Sequence, residues 1–365
     1  MTSHTRIARI ARASGSAIGK PGVVGPAVLA NCNYIFDPAW LRHIAAQDGA
    51  MLTLDGIPVV ANCRTDAQCA AVEQAMLSGR PIAAETGLNA MAFEDGASIV
   101  NAELRKREQP FAMRLEPSTV RAAERASYFG AYKGVTDLLT KYLWPEWALV
   151  LTRIAARIGM TPNMVTTVGA ILCVLATFAF YYGHYWAGLA AGLAFMVLDT
   201  VDGKLARCTI TSSKLGNAFD HGMDLIHPPF WWYAWGVGLH AYGRPLDDDL
   251  FAICLVAIIG GYVLQRLIEG AFIALYGMHI HVWEKADSDF RLITARRNPN
   301  MVILFASVVI SRPDLGLVAV AAWTVLSLLF HAVRLMQAWL QSRSGRPVMS
   351  WLDRDAPNAQ AASLR

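Results

Sequence analysis

"DTVDGKLARCTITSSKLGNAFDHGMD" runs from Asp199 to Asp224 and sets four aspartates between two apolar stretches. "WAGLAAGLAFMVL" precedes it and "LIHPPFWWYAWGVGL" follows it. A charged side chain at membrane depth costs roughly 3 kcal/mol or more, so such residues mark functional sites. On a helix of 3.6 residues per turn, Asp199 and Asp202 lie about 60° apart. Gly203 and Ala206 fall on the same face and leave a shallow floor beside them. Asp220 and Asp224 lie one turn apart on the next helix. The short polar connection "CTITSSKL" lets the two pairs face each other. Four carboxylates in one pocket stay ionised only when hard cations bind them. Oxygen-only ligands select magnesium or manganese over zinc, and the neighbouring Cys208 does not alter that.

The bulk of the chain supports a membrane setting. Its 365 residues suffice for two domains. The hydrophobic share is 55%, the charged share 16% and the mean hydropathy +0.34. The apolar excess is uneven: residues 1–130 carry charges throughout, whereas 164–340 hold nearly all the long apolar runs. A net charge of +4 is too small to imply a nucleic-acid partner, and none is expected. The six cysteines show no C-x-x-C spacing and read as reduced small hydrophobes rather than a zinc site or disulfide framework. The arginine-containing N-terminus lacks the long apolar core of a signal peptide and reads as a disordered basic start before a buried strand.

A spanning helix needs about 20 mostly apolar residues. Six candidates follow: Met164–Tyr182, Trp186–Ala206, a stretch from near Gly216 through "LIHPPFWWYAWGVGLHAY", Leu250–Gly277, the short Asn300–Ile310, and Leu315–Leu340. The loop after the second carries Lys204, Arg207 and Lys214, and the loop after the fourth carries Lys285, Arg291, Arg296 and Arg297. The tail carries Arg343, Arg346, Arg354 and Arg365, while the opposite loops carry Arg244, Arg312 and the acidic run Asp247–Asp249. The positive-inside rule therefore puts the aspartates and both termini on the cytoplasmic side, with a bacterial inner membrane as the expected location.

Residues 131–160 interleave Leu, Trp, Val and Ile with Lys141, Arg153 and Arg157, a pattern that suits an amphipathic helix in the membrane interface. Residues 1–130 alternate strand-like and helical segments, with an Asp55–Gly56 turn splitting one strand into a hairpin. The expected fold is thus an all-α membrane domain of six transmembrane helices over 161–342, preceded by an interfacial helix and a small cytoplasmic α/β domain. A disordered tail is expected from 343 to 365.

The central stretch reads D-x2-D-G-x2-A-R-x8-G-x3-D-x3-D, filled by Asp199, Asp202, Gly203, Ala206, Arg207, Gly216, Asp220 and Asp224. It resembles the signature of the CDP-alcohol phosphotransferase family, and "TPN" at Thr161–Asn163 resembles that family's entry into its first span. The resemblance covers roughly residues 135–340. It implies an enzyme that moves a substituted phosphate from a CDP-alcohol donor to the hydroxyl of an alcohol acceptor and releases CMP, in phospholipid or polar-lipid synthesis within membrane lipid. It further implies that Asp199, Asp202 and Asp220 hold Mg²⁺ or Mn²⁺, and that Asp224 is the general base and also touches a second metal. Gly203, Ala206 and Gly216 would let the cytidine approach the backbone, and Arg207 would pair with phosphate or brace the aspartates. The competing classes are a cation-binding membrane transporter and a non-catalytic family member. One-sided placement of the acids argues against the first, and the complete carboxylate set against the second.

Other residues stay open. Arg266, inside the fourth span, needs a buried anion, either a ligand or nearby Glu269. Arg291, Arg296 and Arg297 suit a phosphate grip or plain positive-inside anchoring. His279 and His281 lack a third metal ligand and read as interfacial histidines. Some family members carry a nucleotidyltransferase-like domain in front, and "AVLANCNYIFDPAWLRHIA" resembles a strand and helix of such domains. This chain has Asn33 where those place a metal-binding aspartate, and a Gly-rich triphosphate loop is missing. The resemblance then implies a degenerate domain that has lost nucleotidyl transfer. Otherwise the domain is a scaffold for the interfacial helix or for a homodimer, the expected oligomer.

Overall fold

The computed structural model describes residues 1–19 and 25–354. The chain divides into two compact units, one of Met1–Gly134 with Ala206–Thr211, the other of Val135–Leu205 with Ser212 onward.

The first unit is α/β. Its basic start is not disordered but forms helix α1 (Ser3–Ala13), capped by Thr2. Arg6, Ile7, Ile10 and Ala11 share one side; Ile10 enters the core, and Arg6 donates to the Phe36 carbonyl at 2.7 Å. The expected first strand breaks in two. β1 (Ala27–Ala30) and β2 (Tyr34–Phe36) are separated by buried Asn31, which donates to the Pro58 carbonyl and accepts from Asn33 N. Helix α2 (Pro38–Ala45) opens on Asp37, which caps Ala39 N at 2.8 Å. β3 (Ala50–Leu54) and β4 (Ile57–Cys63) form the expected hairpin, with Asp55 and Gly56 both at positive φ. Helix α3 (Asp66–Ser78) follows, then β5 (Asn89–Ala92), β6 (Ile99–Asn101), β7 (Lys106–Glu108), β8 (Ala112–Arg114) and α4 (Val120–Gly130). The main sheet runs β1-β4-β3-β5, and of its pairings β3–β5 is parallel while the others are antiparallel. Phe36, Trp40, Ile44, Leu52 and Val60 fill the core, and Ile210 packs on it.

The second unit is helical. A π turn (Leu139–Leu143) leads to α5 (Pro145–Arg157), α6 (Pro162–Tyr181), α7 (Tyr185–Thr209) and α8 (Lys214–Tyr242). Then come α9 (Asp248–Leu255), a π turn (Val256–Gly260), α10 (Gly261–Tyr276), α11 (Lys285–Phe290), α12 (Arg297–Val309), α13 (Pro313–Arg343) and α14 (Trp351–Arg354). Sequence punctuation sets the ends. Thr161 with Pro162 opens α6, Ser213 caps α8, and Gly243 and Gly277 close α8 and α10 in the left-handed region.

Among the described residues, three helices are long and apolar enough to cross a membrane: Pro162–Tyr181, Asp248–Tyr276 and Pro313–Arg343. Their outer faces are apolar, as at Ile171, Leu175 and Phe178 of α6 and Leu326, Leu329 and Val333 of α13. Helices α7 and α8 carry the aspartates, and α12 has 13 residues, about 20 Å at 1.5 Å per residue. Inside, Phe180, Tyr185, Trp231 and Trp235 form an aromatic centre. Their polar ends are satisfied by backbone: Trp231 donates to the Cys173 carbonyl, Trp235 to that of Pro313, and Tyr185 to that of Trp235. Gly238 lets the Phe180 carbonyl approach α8 where any Cβ would collide with it.

Two further expectations meet ordered structure. On α5, Trp147, Val150 and Ile154, with Ile158 at its C-cap, are exposed while Ala148, Leu149, Thr152 and Ala155 are buried. The tail expected to be disordered from 343 is folded through Arg354: Leu352 is buried, Trp351 N donates to the Trp283 carbonyl, and Arg354 pairs with Glu284. The apolar Trp351 and Leu352 supply the burial that holds it. Residues 355–365 of the expected tail lie outside the described residues.

Candidate functional site

The four-residue turn 210–213 between α7 and α8 makes the site. Ile210 takes a positive φ of 53°, and the Ser213 hydroxyl accepts from Gly216 N at 3.0 Å to start α8. A Cβ at Gly216 would sit 2.7 Å from Asn163 Oδ1 of the Thr-Pro-Asn entry to α6, so the Asn163 side chain would have to shift to admit one. Carboxylate oxygens of Asp199, Asp220 and Asp224 then lie within 4.8 Å of one another. That donor set, three carboxylates and no nitrogen or sulfur, fits a hard divalent cation.

Asp202 has a different environment. It is 3% exposed, its Oδ2 accepts from Thr166 Oγ1 of α6 at 2.5 Å, and its Oδ1 accepts from Gly203 N at 2.5 Å. Ala206 and Arg207 belong to the first unit, where the Arg207 Nε donates to the Ala131 carbonyl at 3.1 Å.

The sequence left Arg297 open between a phosphate grip and positive-inside anchoring. It lies among the carboxylates. Its Nη2 donates to Asp199 Oδ2 and its Nη1 to Asp224 Oδ1, both at 2.8 Å. Its Nε donates to Asn298 Oδ1 at 3.0 Å, and its guanidinium carbon sits 4.8 Å from the Phe195 ring centroid. The Asn298 amide in turn donates to Thr140 Oγ1, which donates to Asp137 Oδ2 at 2.8 Å. Beneath Asp224, the Tyr262 hydroxyl of α10 donates to the α8 backbone. Nothing in the sequence signalled Thr166, Tyr262 or Asn298.

A second charged cluster lies nearby in the helical unit. Arg266 pairs with Glu269 at 3.2 Å, which resolves its open partner as the intrahelical carboxylate. Arg296 also binds Glu269, and His281 Nε2 lies 3.2 Å from the same oxygen. His281 is 2% exposed, not interfacial, because the 280–282 turn folds into the bundle and sets its ring against His331. Burial holds the His281 imidazole well below its usual range. Glu269, His281 and His331 are close enough to share an ion, but two guanidiniums already neutralise the one carboxylate. The cluster reads as a charge network that anchors the start of α12.

The CDP-alcohol phosphatidyltransferase profile matches residues 159–286, a segment that contains all four aspartates. Cholinephosphotransferase 1 of Gallus gallus is 30% identical over 159 residues, covering 40% of this chain and 45% of that protein. Archaetidylinositol phosphate synthase of Pyrococcus horikoshii is 25% identical over 173 residues, 46% of this chain and 80% of that protein. A crystal structure of Mycobacterium tuberculosis phosphatidylinositol phosphate synthase with CDP-DAG bound aligns at a TM-score of 0.39 and 20% identity, over 51% of this chain and 91% of that one. The chain thus spans less than half the length of the chicken protein.

Proposed function

We propose that this chain, whose residues 159–286 match the CDP-alcohol phosphatidyltransferase family, belongs to that family and transfers a substituted phosphate from a CDP-alcohol to an acceptor hydroxyl. The observation that carries the reading is the convergence of Asp199, Asp220 and Asp224 within the matched segment. Asp199 and Asp220, with Asp202 alongside, would hold magnesium or manganese. Bound there, the ion neutralises charge that builds on the departing CMP.

The acceptor oxygen bonds to the β-phosphorus, and the bond from that phosphorus to the bridging oxygen breaks. CMP leaves with the bridging oxygen, and a phosphodiester remains. Asp224 takes the hydroxyl proton; at 49% side-chain exposure it is the most open carboxylate of the three and the one an acceptor can reach. Thr166 fixes the orientation of Asp202, and Tyr262 fixes the backbone under Asp224. Gly203 beside Asp202 would let the nucleotide approach the backbone, whereas the space at Gly216 is filled by Asn163 and Ser213.

The distribution of Lys and Arg along the sequence supports six spans with the aspartates and both ends on the cytoplasmic side, and the exposed apolar face of α5 supports a place for it in the interface. The first unit serves as scaffold rather than as a nucleotidyltransferase. Asn33 and the largely antiparallel sheet support that reading.

The deciding experiment incubates purified protein with CDP-alcohols and alcohol acceptors and follows CMP. Release that needs Mg²⁺ or Mn²⁺ and stops with EDTA supports the reading. Full release in excess EDTA, or none with any donor, sinks it.

A further inference from the structure

We propose that Arg297 is a resident counter-cation of the carboxylate cluster, which closes the site while it lacks metal and must let go when a divalent ion loads. The proposal rests on the reading of the aspartates as metal ligands. Three carboxylates within 4.8 Å of one another repel strongly unless a positive charge stands between them. Arg297 supplies that charge. Its two terminal nitrogens each take one carboxylate, Asp199 from α7 and Asp224 from α8, and so tie the two motif helices together. A guanidinium stays protonated at any working pH, so the charge leaves only if the side chain moves.

The arginine is also seated. Asn298, Thr140 and Asp137 form a relay that fixes its Nε edge, and the Phe195 ring covers one face. The side chain is 11% exposed. Held by Asn298 at Nε, the guanidinium can pivot about that bond and swing its two outer nitrogens off the carboxylates. The same two oxygens, Asp199 Oδ2 and Asp224 Oδ1, cannot serve the guanidinium and a divalent ion at full strength together. Ion and arginine therefore compete, and each weakens the other by the same factor. The same contact engages Asp224, so its role as base also requires that Arg297 let go.

The test uses full-length protein in detergent, stripped with EDTA and titrated with Mn²⁺ by electron paramagnetic resonance, with no nucleotide present. Arg297→Gln should bind Mn²⁺ on the order of tenfold more tightly than wild type, and its metal-free form should melt at lower temperature because the carboxylates lose their partner. Arg297→Lys reaches one carboxylate at a time and should fall between. A mere structural role would lower stability without tightening Mn²⁺ binding. Equal or weaker Mn²⁺ affinity in Arg297→Gln overturns the proposal. If that variant does not fold, Arg297→Lys decides alone, with tighter binding in support and equal or weaker binding against. Wild type that binds no Mn²⁺ removes the metal reading itself, and the proposal falls with it.

Discussion

The Tyr262 phenol donates to the Leu225 carbonyl at 3.0 Å and reaches the Asp224 carbonyl at 3.4 Å. These are the acceptors that the N–H groups four residues on would serve. Residues 228 and 229 are both proline, so α8 has no donor for either. A tyrosine from α10 thus completes the backbone of α8 at the residue assigned as base.

Tyr262→Phe should destabilise the protein by about 1 kcal/mol, the usual net worth of one such bond, and slow CMP release. A double-mutant cycle identifies the cause. Pro229→Ala restores an N–H for the Leu225 carbonyl, so Tyr262→Phe should cost less in that background. Equal costs in both backgrounds, read by thermal unfolding, would show that the phenol acts elsewhere.

Thr166→Val removes the hydroxyl that donates to Asp202 while keeping the shape of the side chain. Loss of a partner that orients a metal ligand typically lowers metal affinity by about 10- to 100-fold. Mn²⁺ titration checks this, and unchanged affinity would take Asp202 out of the metal set.

Asp224→Asn should keep most CDP-alcohol affinity while turnover falls on the order of 10²–10⁴-fold, the usual effect of losing a general base. A donor-binding titration beside the CMP assay separates the two. Near-normal turnover would assign the base to another group. Asp199→Asn and Asp220→Asn should instead weaken metal and donor binding together.

Glu269→Gln leaves the half-buried Arg266 and Arg296 without their carboxylate. Removing the partner of a partly exposed charge costs less than the roughly 3–5 kcal/mol of a fully buried pair, so a moderate drop in melting temperature is expected, with the start of α12 loosened. A variant as stable as wild type would mean that solvent already reaches these arginines.

A cysteine placed at Asp248 should be labelled from outside the cell and one at Lys285 from the cytoplasm. The reverse pattern would refute the six-span arrangement.

The aspartate pairs, the apolar helices and the Asp55–Gly56 hairpin were legible because each depends on neighbours in the chain. Helical period places Asp199 beside Asp202 and Asp220 beside Asp224, and transfer of apolar side chains out of water acts stretch by stretch. The short turn at 210–213 then allowed only a close approach of the two pairs. Where each carboxylate found its partner was a different matter. Arg297 lies 98 positions from Asp199 and 73 from Asp224, and local pattern could not separate it from Arg296, its neighbour, which turns to Glu269 instead. Asp202 looked equivalent to Asp199 until α6 brought Thr166 against it. His281 looked interfacial until the 280–282 turn buried it, and the basic start looked unstructured until Arg6 met the Phe36 carbonyl. Charge pairing in a low-dielectric interior depends on distance in space, and only the packing of the helices against one another sets those distances.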